Sequence, residues 1–207
     1  LAGDPALAAA VEKEPGVRVP RAVDGFEMVV RAVVGQQISV AGARTILARL
    51  VAAALAPPDD RVDDEFHGAR QPRDETACGG GELTAFPSPE EVLALPDDAF
   101  PVPAARRETI RAVARAVCDG TLDLDLNADR EETARRLLAL PGLGPWTVRY
   151  VAMRGFGDPD VFLPTDLAVR RGAAVLGLPD RPDILARHAT RWRPWRSYAV
   201  MRLWRSA

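Results

Sequence analysis

The stretch that most constrains this 207-residue chain is Pro141-Gly142-Leu143-Gly144-Pro145, five residues that no continuous helix or strand can accommodate. Proline lacks the amide that a helix interior needs but suits the first turn of a new one, and glycine accepts backbone angles closed to other residues. Apolar side chains approach the stretch through Leu137, Leu138 and Leu140, and Trp146 and Tyr150 follow it four residues apart. Two helices joined by a glycine hairpin are predicted, with both glycines free to take positive φ and with bare amides at the start of the second helix. Such a terminus carries partial positive charge and unpaired N–H groups, so a phosphate oxygen is its natural guest. Taken alone, a turn of this composition is more often a plain connector.

The remaining chain reads as a succession of helices. Asp4 and Pro5 start a short one within residues 1 to 14. Asp24-Gly25 opens a second, with Phe26, Val29, Val30, Val33 and Val34 at steps of three and four. The polar run Gly35-Gln36-Gln37-Ile38-Ser39 interrupts it, and Ser39 can cap a third helix reaching Leu55. Residues 57 to 88 are rich in Pro, Gly and acids around Gly79-Gly80-Gly81 and show no apolar period, which predicts a flexible acidic loop. Beyond it lie a short helix from Glu90 to Leu95, a helix from Ala104 to Cys118, and one started by Asn127 or Asp129 that enters the hairpin. Asp180 and Pro182 introduce a helix to about Arg191, and Pro194 begins the last, which carries Trp195, Tyr198 and Trp204. Strands are scarce, so the predicted fold is all-α.

With 47% hydrophobic residues the chain can bury a sizeable core, as one domain or two small lobes. No apolar run reaches membrane-span length, and the first residues lack a signal-peptide layout, so a cytoplasmic location is expected. Cys78, Cys118, His67 and His188 show no metal-ligand spacing. The net charge of −2 hides a gradient: residues 57 to 98 hold three arginines against twelve acids, whereas residues 140 to 207 hold eleven arginines against five. The basic half coincides with the hairpin, which favours a polyanion there. Lys13 is the only lysine, all other basic residues being arginine. Arginine stays protonated and cannot act as an amine nucleophile.

LPGLGPWTVRYVAMRG, followed by DVFLPTDLAVRRG, resembles the helix-hairpin-helix DNA glycosylases, and within them the DNA-3-methyladenine glycosylase II type. Residues 26 to 43, 86 to 95 and 192 to 204 support the resemblance, which spans most of the chain. It implies two helical lobes, 26–158 and 1–25 plus 159–207, with the active-site cleft between them. The β-rich domain that usually precedes them is absent from this chain, which suggests a fragment or a piece of a longer fusion.

By that resemblance, Asp166 is the catalytic carboxylate, although an Asp at a helix start is by position alone a cap. Trp146, Tyr150 and Trp204 are implied to form the base pocket, although aromatics at helical spacing also build cores. Gln37 stands where relatives place a bulky apolar wedge that fills the gap left by a flipped base. The backbone of Gly142, Leu143, Gly144 and Thr147 is implied to hold a DNA phosphate. The carbonyls of Leu138, Leu140 and Leu143 would hold a bridging Na⁺ or K⁺, with no cofactor required. The implied partner is double-stranded DNA containing alkylated bases, and the chain is expected to act as a monomer.

The implied reaction is hydrolysis of an N-glycosidic bond, which builds positive charge on the sugar that a carboxylate stabilises. Alkylated purines are already cationic and leave readily, and aromatic faces attract cations. Without a lysine after the hairpin, the base should be released and the strand left intact. Two alternatives stay open: another base specificity in the same superfamily, and a non-catalytic helix-hairpin-helix module that senses damage.

Overall fold

In the computed structural model, which describes residues 1–56, 85–125 and 127–207, the chain is all-helical, with no strand among the described residues. Most of the acidic loop expected at 57–88 lies outside them. The helices are α1 (Pro5–Lys13), α2 (Gly25–Val34), α3 (Val40–Leu55), α4 (Pro89–Ala94), α5 (Ala104–Cys118), α6 (Arg130–Ala139), α7 (Pro145–Arg154), α8 (Leu167–Val175), α9 (Pro182–His188) and α10 (Arg196–Ser206).

Side-chain caps set most of the starting points. Asp4, Asp24, Ser39, Ser88, Asp129 and Asp166 each accept a backbone amide of the first turn, satisfying donors that the helix itself leaves unpaired. One start agrees with the sequence expectation and one differs. Helix α9 starts at Pro182 as expected, with Arg181 before it, and the Asp180 carbonyl accepts the Arg170 Nε at 2.7 Å. The last helix begins at Arg196 rather than Pro194, because the Trp195 amide closes a turn on the Trp192 carbonyl at 2.8 Å and holds Arg193 to Trp195 outside it.

Buried side chains gather in two clusters. The first joins Phe26, Val29, Val30 and Val33 of α2 to Ile110, Val113 and Ala114 of α5 and Val148 and Val151 of α7. The second joins Leu7 of α1 to Met153 of α7, Val169 and Ala173 of α8, Leu185 of α9, Trp192, and Ala199, Val200 and Leu203 of α10. Helix α7 is thus the shared wall, and its partly buried Tyr150 packs against both clusters. Helices α8 and α10 approach closely because Gly172 has no side chain: a Cβ there would lie 1.9 Å from the Leu203 carbonyl oxygen.

The first helix is tied to the second cluster by a buried carboxylate. Asp4 caps α1 through Oδ1, and its Oδ2 accepts the Trp192 indole at 2.8 Å and lies 3.1 Å from His188 Nε2. Burial pushes the Asp4 carboxyl up, but its bonds to Trp192, Ala6 and His188 outweigh this and hold it below the ordinary value of 3.8. A depressed folded value means that this stabilisation is present above the unfolded value and is lost as pH falls through the folded one. Asp4→Asn should therefore lower the melting temperature at pH 7, and the gap to wild type should narrow below about pH 4. A gap independent of pH in thermal melts would contradict that account.

Candidate active site

Asp166 stands at the junction of the loop after α7 and helix α8, and neighbouring side chains hold that loop in place. Arg196 forks onto the Asp160 carboxylate at 2.7 and 2.8 Å, which draws the Asp160 carboxyl below its ordinary range. The buried Ser197 hydroxyl donates to the Asp158 carbonyl at 2.6 Å and accepts the Val161 amide at 2.9 Å. The Asp166 amide then closes a turn on the Leu163 carbonyl at 3.1 Å. A residue at the end of this loop is positioned by α10 as much as by its own helix.

Three donors converge on the Asp166 carboxylate. Oδ1 accepts the Val169 amide at 2.9 Å and the Trp204 indole N–H at 3.0 Å, and Oδ2 accepts the Trp146 indole N–H at 3.0 Å. A carboxylate offers about four lone-pair directions, so about one, on Oδ2, stays free. The cap expected from position and the carboxylate expected from resemblance are the same group, since one oxygen caps α8 while the other faces away from its amides.

The structure brings Trp146, Tyr150 and Trp204 together around this carboxylate. Trp146 and Tyr150 stack with ring centroids 5.2 Å apart and planes 8° apart, and Tyr150 meets Trp204 at 6.2 Å and 58°. The Arg154 guanidinium lies 5.8 Å from the Tyr150 centroid. These rings touch one another, so a planar guest stacks on an outer face of the group and not between its members. Two open concavities lie elsewhere: about 280 Å³ between α5 and α6, including Leu122 and Arg136, and about 350 Å³ between α1 and α10, including Glu14 and Arg202. Neither is lined by Asp166 or by the three aromatic residues.

The hairpin forms between α6 and α7, with one departure from the expected glycine roles. Gly142 has φ +81°, and a Cβ there would lie 2.1 Å from the Thr109 hydroxyl, so both backbone and space require glycine. Gly144 is extended, with φ −89° and ψ 170°, and a Cβ there would meet nothing within 4 Å. No internal contact requires glycine at this exposed position. The amides of Gly144, Trp146 and Thr147 donate to no partner among the described residues. Leu143 and Thr147 are buried, and the Thr147 hydroxyl faces inward. The carbonyls of Leu138 and Leu143 receive no hydrogen bond among the described residues, and that of Leu140 receives only the Leu143 amide at 3.4 Å.

Across from the hairpin, the α2–α3 loop exposes Gln37 at φ +59°, the sole positive-φ residue other than glycine among those described. Its neighbour Gln36, which sequence reasoning did not single out, donates through Nε2 to the Gly142 carbonyl and the Thr147 hydroxyl, both at 3.2 Å. The two glutamines are adjacent and chemically identical, so nothing in their pattern separated the partly buried one from the exposed one.

Comparison with known proteins sets this geometry in context. The chain is 45% identical over 205 residues to a Mycobacterium tuberculosis protein named probable bifunctional transcriptional activator/DNA repair enzyme AlkA, covering 99% of this chain and 38% of that protein. It is 35% identical to DNA-3-methyladenine glycosylase 2 of Escherichia coli, covering 92% of this chain and 60% of the relative. Nearly the whole chain is thus similar to part of each of these two proteins. Its fold agrees with the 3-methyladenine DNA glycosylase Mag1 of Schizosaccharomyces pombe, solved with abasic DNA, at a TM-score of 0.77 and 22% identity, covering 99% of this chain and 93% of that one. No protein-family model matches the chain. The chain spans from about two-fifths to three-fifths of the length of these two curated relatives.

Proposed function

We propose that this chain is a monofunctional DNA glycosylase that flips alkylated bases such as 3-methyladenine and 7-methylguanine out of double-stranded DNA and hydrolyses their N-glycosidic bonds. The observation that carries this reading is the Asp166 carboxylate, gripped by two indoles and one amide with a lone pair of Oδ2 left free. A carboxylate so held cannot swing, and it presents fixed negative charge where positive charge develops on the sugar. With Trp146 already bonded to Oδ2, electrostatic stabilisation and orientation of a water are its natural tasks.

The aromatic group supports a cationic guest. The outer faces of Trp146, Tyr150 and Trp204 attract a positively charged base by about 0.5–2 kcal/mol per contact, a broad preference rather than a fitted one. Extrusion costs a few kcal/mol and is easiest where damage has weakened pairing. Gln37 would fill the space the base leaves. The free amides about Gly144 and Trp146, at the positive end of α7, would receive the neighbouring phosphate, and the missing side chain at Gly144 lets that phosphate approach closely.

The under-used carbonyls of Leu138, Leu140 and Leu143 fit a monovalent cation, which would neutralise phosphate charge. Those carbonyls would hold it at the hairpin, and no chemical step needs it. Helix α7 carries no lysine, so no amine is offered for a Schiff base and the strand should stay intact. Action as a monomer in the cytoplasm, at the nucleoid, completes the reading; no helix among the described residues is long and apolar enough to cross a membrane.

Duplexes of one sequence carrying 7-methylguanine, uracil or 8-oxoguanine would separate this reading from other specificities. Free base from the methylated duplex alone is expected. Preferential release of uracil or 8-oxoguanine would replace the alkylation assignment, and binding without any release would favour a damage-sensing module.

A further inference from the structure

Within the polar turn Gly35 to Ser39, the structure gives two identical side chains opposite surroundings. Gln37 is exposed and makes no side-chain hydrogen bond among the described residues. Gln36 is partly buried and spends both amide hydrogens across the molecule, one on the Gly142 carbonyl in the hairpin turn and one on the Thr147 hydroxyl in the first turn of α7. These are the only hydrogen bonds joining the two segments among the described residues, and they link positions 106 and 111 residues apart in sequence. On the other side of Gln37, Ile38 packs against the first core cluster and Ser39 caps α3. Gln37 is therefore pinned on both flanks, in a left-handed conformation that persists only where its surroundings enforce it.

We infer that Gln36 is a positioning residue that locks the loop bearing Gln37 to the hairpin, so that the inserting side chain and the phosphate-holding amides meet DNA as one rigid body. The inference rests on the proposed glycosylase reading. Two loops that moved independently would each have to be ordered on binding, at a cost in affinity and in the fraction of encounters that unstack the lesion. A single glutamine removes that cost because its two donors reach both ends of the hairpin turn. It touches neither the sugar nor the base and acts through Gln37 and the hairpin.

Gln36→Met keeps length and apolar bulk while removing both donors. The decisive measurement is a double-mutant cycle with Gln37→Ala, on a duplex carrying an alkylated base next to 2-aminopurine, whose fluorescence reports unstacking. Gln36→Met should lower kcat/KM about tenfold, the loss of two modest hydrogen bonds, with a matching loss of 2-aminopurine signal. Adding Gln37→Ala to it should then cost little more, because a wedge on an unanchored loop is already ineffective. Thermal melting shows that each variant is folded under assay conditions. Independent effects that multiply, or an unstacking signal unchanged in Gln36→Met, overturn the inference. Wild-type protein that binds and unstacks the duplex but releases no base removes the catalytic reading and leaves the cycle readable by fluorescence. Wild-type protein that does not bind the duplex overturns both.

Discussion

Asp166→Ala is expected to reduce release of alkylated base by at least about a hundredfold while duplex binding changes only slightly, since the role proposed for the carboxylate is to stabilise charge that exists only in the transition state. The geometry also shows what its closest replacement does. In Asp166→Asn one oxygen becomes an NH₂, yet each oxygen faces an indole N–H, at 3.0 Å on either side. Whichever way the amide turns, a donor meets a donor, so this substitution removes the charge and breaks one arm of the grip together. Trp204→Phe and Trp146→Phe are the complementary probes, each keeping a ring in place while removing one N–H. Each should lower kcat about tenfold, in line with losing one hydrogen bond to a charged group. Single-turnover base release on a methylated duplex gives these values directly; a phenylalanine variant with unchanged kcat would show that the indoles do not position the carboxylate.

Gly172→Ala should be among the most damaging substitutions that leave every polar group untouched. Its new methyl would sit 1.9 Å from the Leu203 carbonyl oxygen, 2.6 Å from its carbonyl carbon and 3.0 Å from its Cα. All three are backbone atoms, so no side-chain rotation relieves the clash, and α10 must move away from α8. Overpacking of this kind costs roughly 1–3 kcal/mol. The melting temperature should fall by about 2–4 °C for each kcal/mol in a chain of this size. Activity should fall as well, because Leu203 precedes Trp204, whose indole holds Asp166. Gly16→Ala is the control, since a Cβ there would meet nothing within 4 Å, and it should leave both properties unchanged. A wild-type melting temperature for Gly172→Ala would mean that the helices sit farther apart than described.

Helix positions were legible in the sequence because short polar residues announce them. Asp4, Asp24, Ser39, Ser88, Asp129 and Asp166 all stand where a first turn needs an acceptor, and each makes that bond. The one misplaced start, at Pro194, came from giving weight to a proline that could open a helix where a local turn at Trp192 to Trp195 decides the matter. The carboxylate site was legible in part. Asp166 and the three aromatics could be named, but not the grip: Trp204 lies 38 residues away from Asp166, and only the packing of α10 on α8 brings its N–H to the oxygen. Gly142 and Gly144 looked alike as letters and differ in cause, one required by φ and by Thr109, the other by nothing inside the protein. Long-range hydrogen bonds such as those of Gln36 leave no periodicity in sequence, so the resemblance pointed to Gln37 while nothing pointed to its partly buried neighbour.

The proposed activity cuts the base from the sugar and stops there. Incubating the chain with a duplex bearing a single 7-methylguanine and analysing both products tests this. Free 7-methylguanine and a full-length strand that breaks only after alkali treatment are expected. A strand nicked at the lesion without alkali, or a covalent protein–DNA adduct trapped by borohydride, would contradict it.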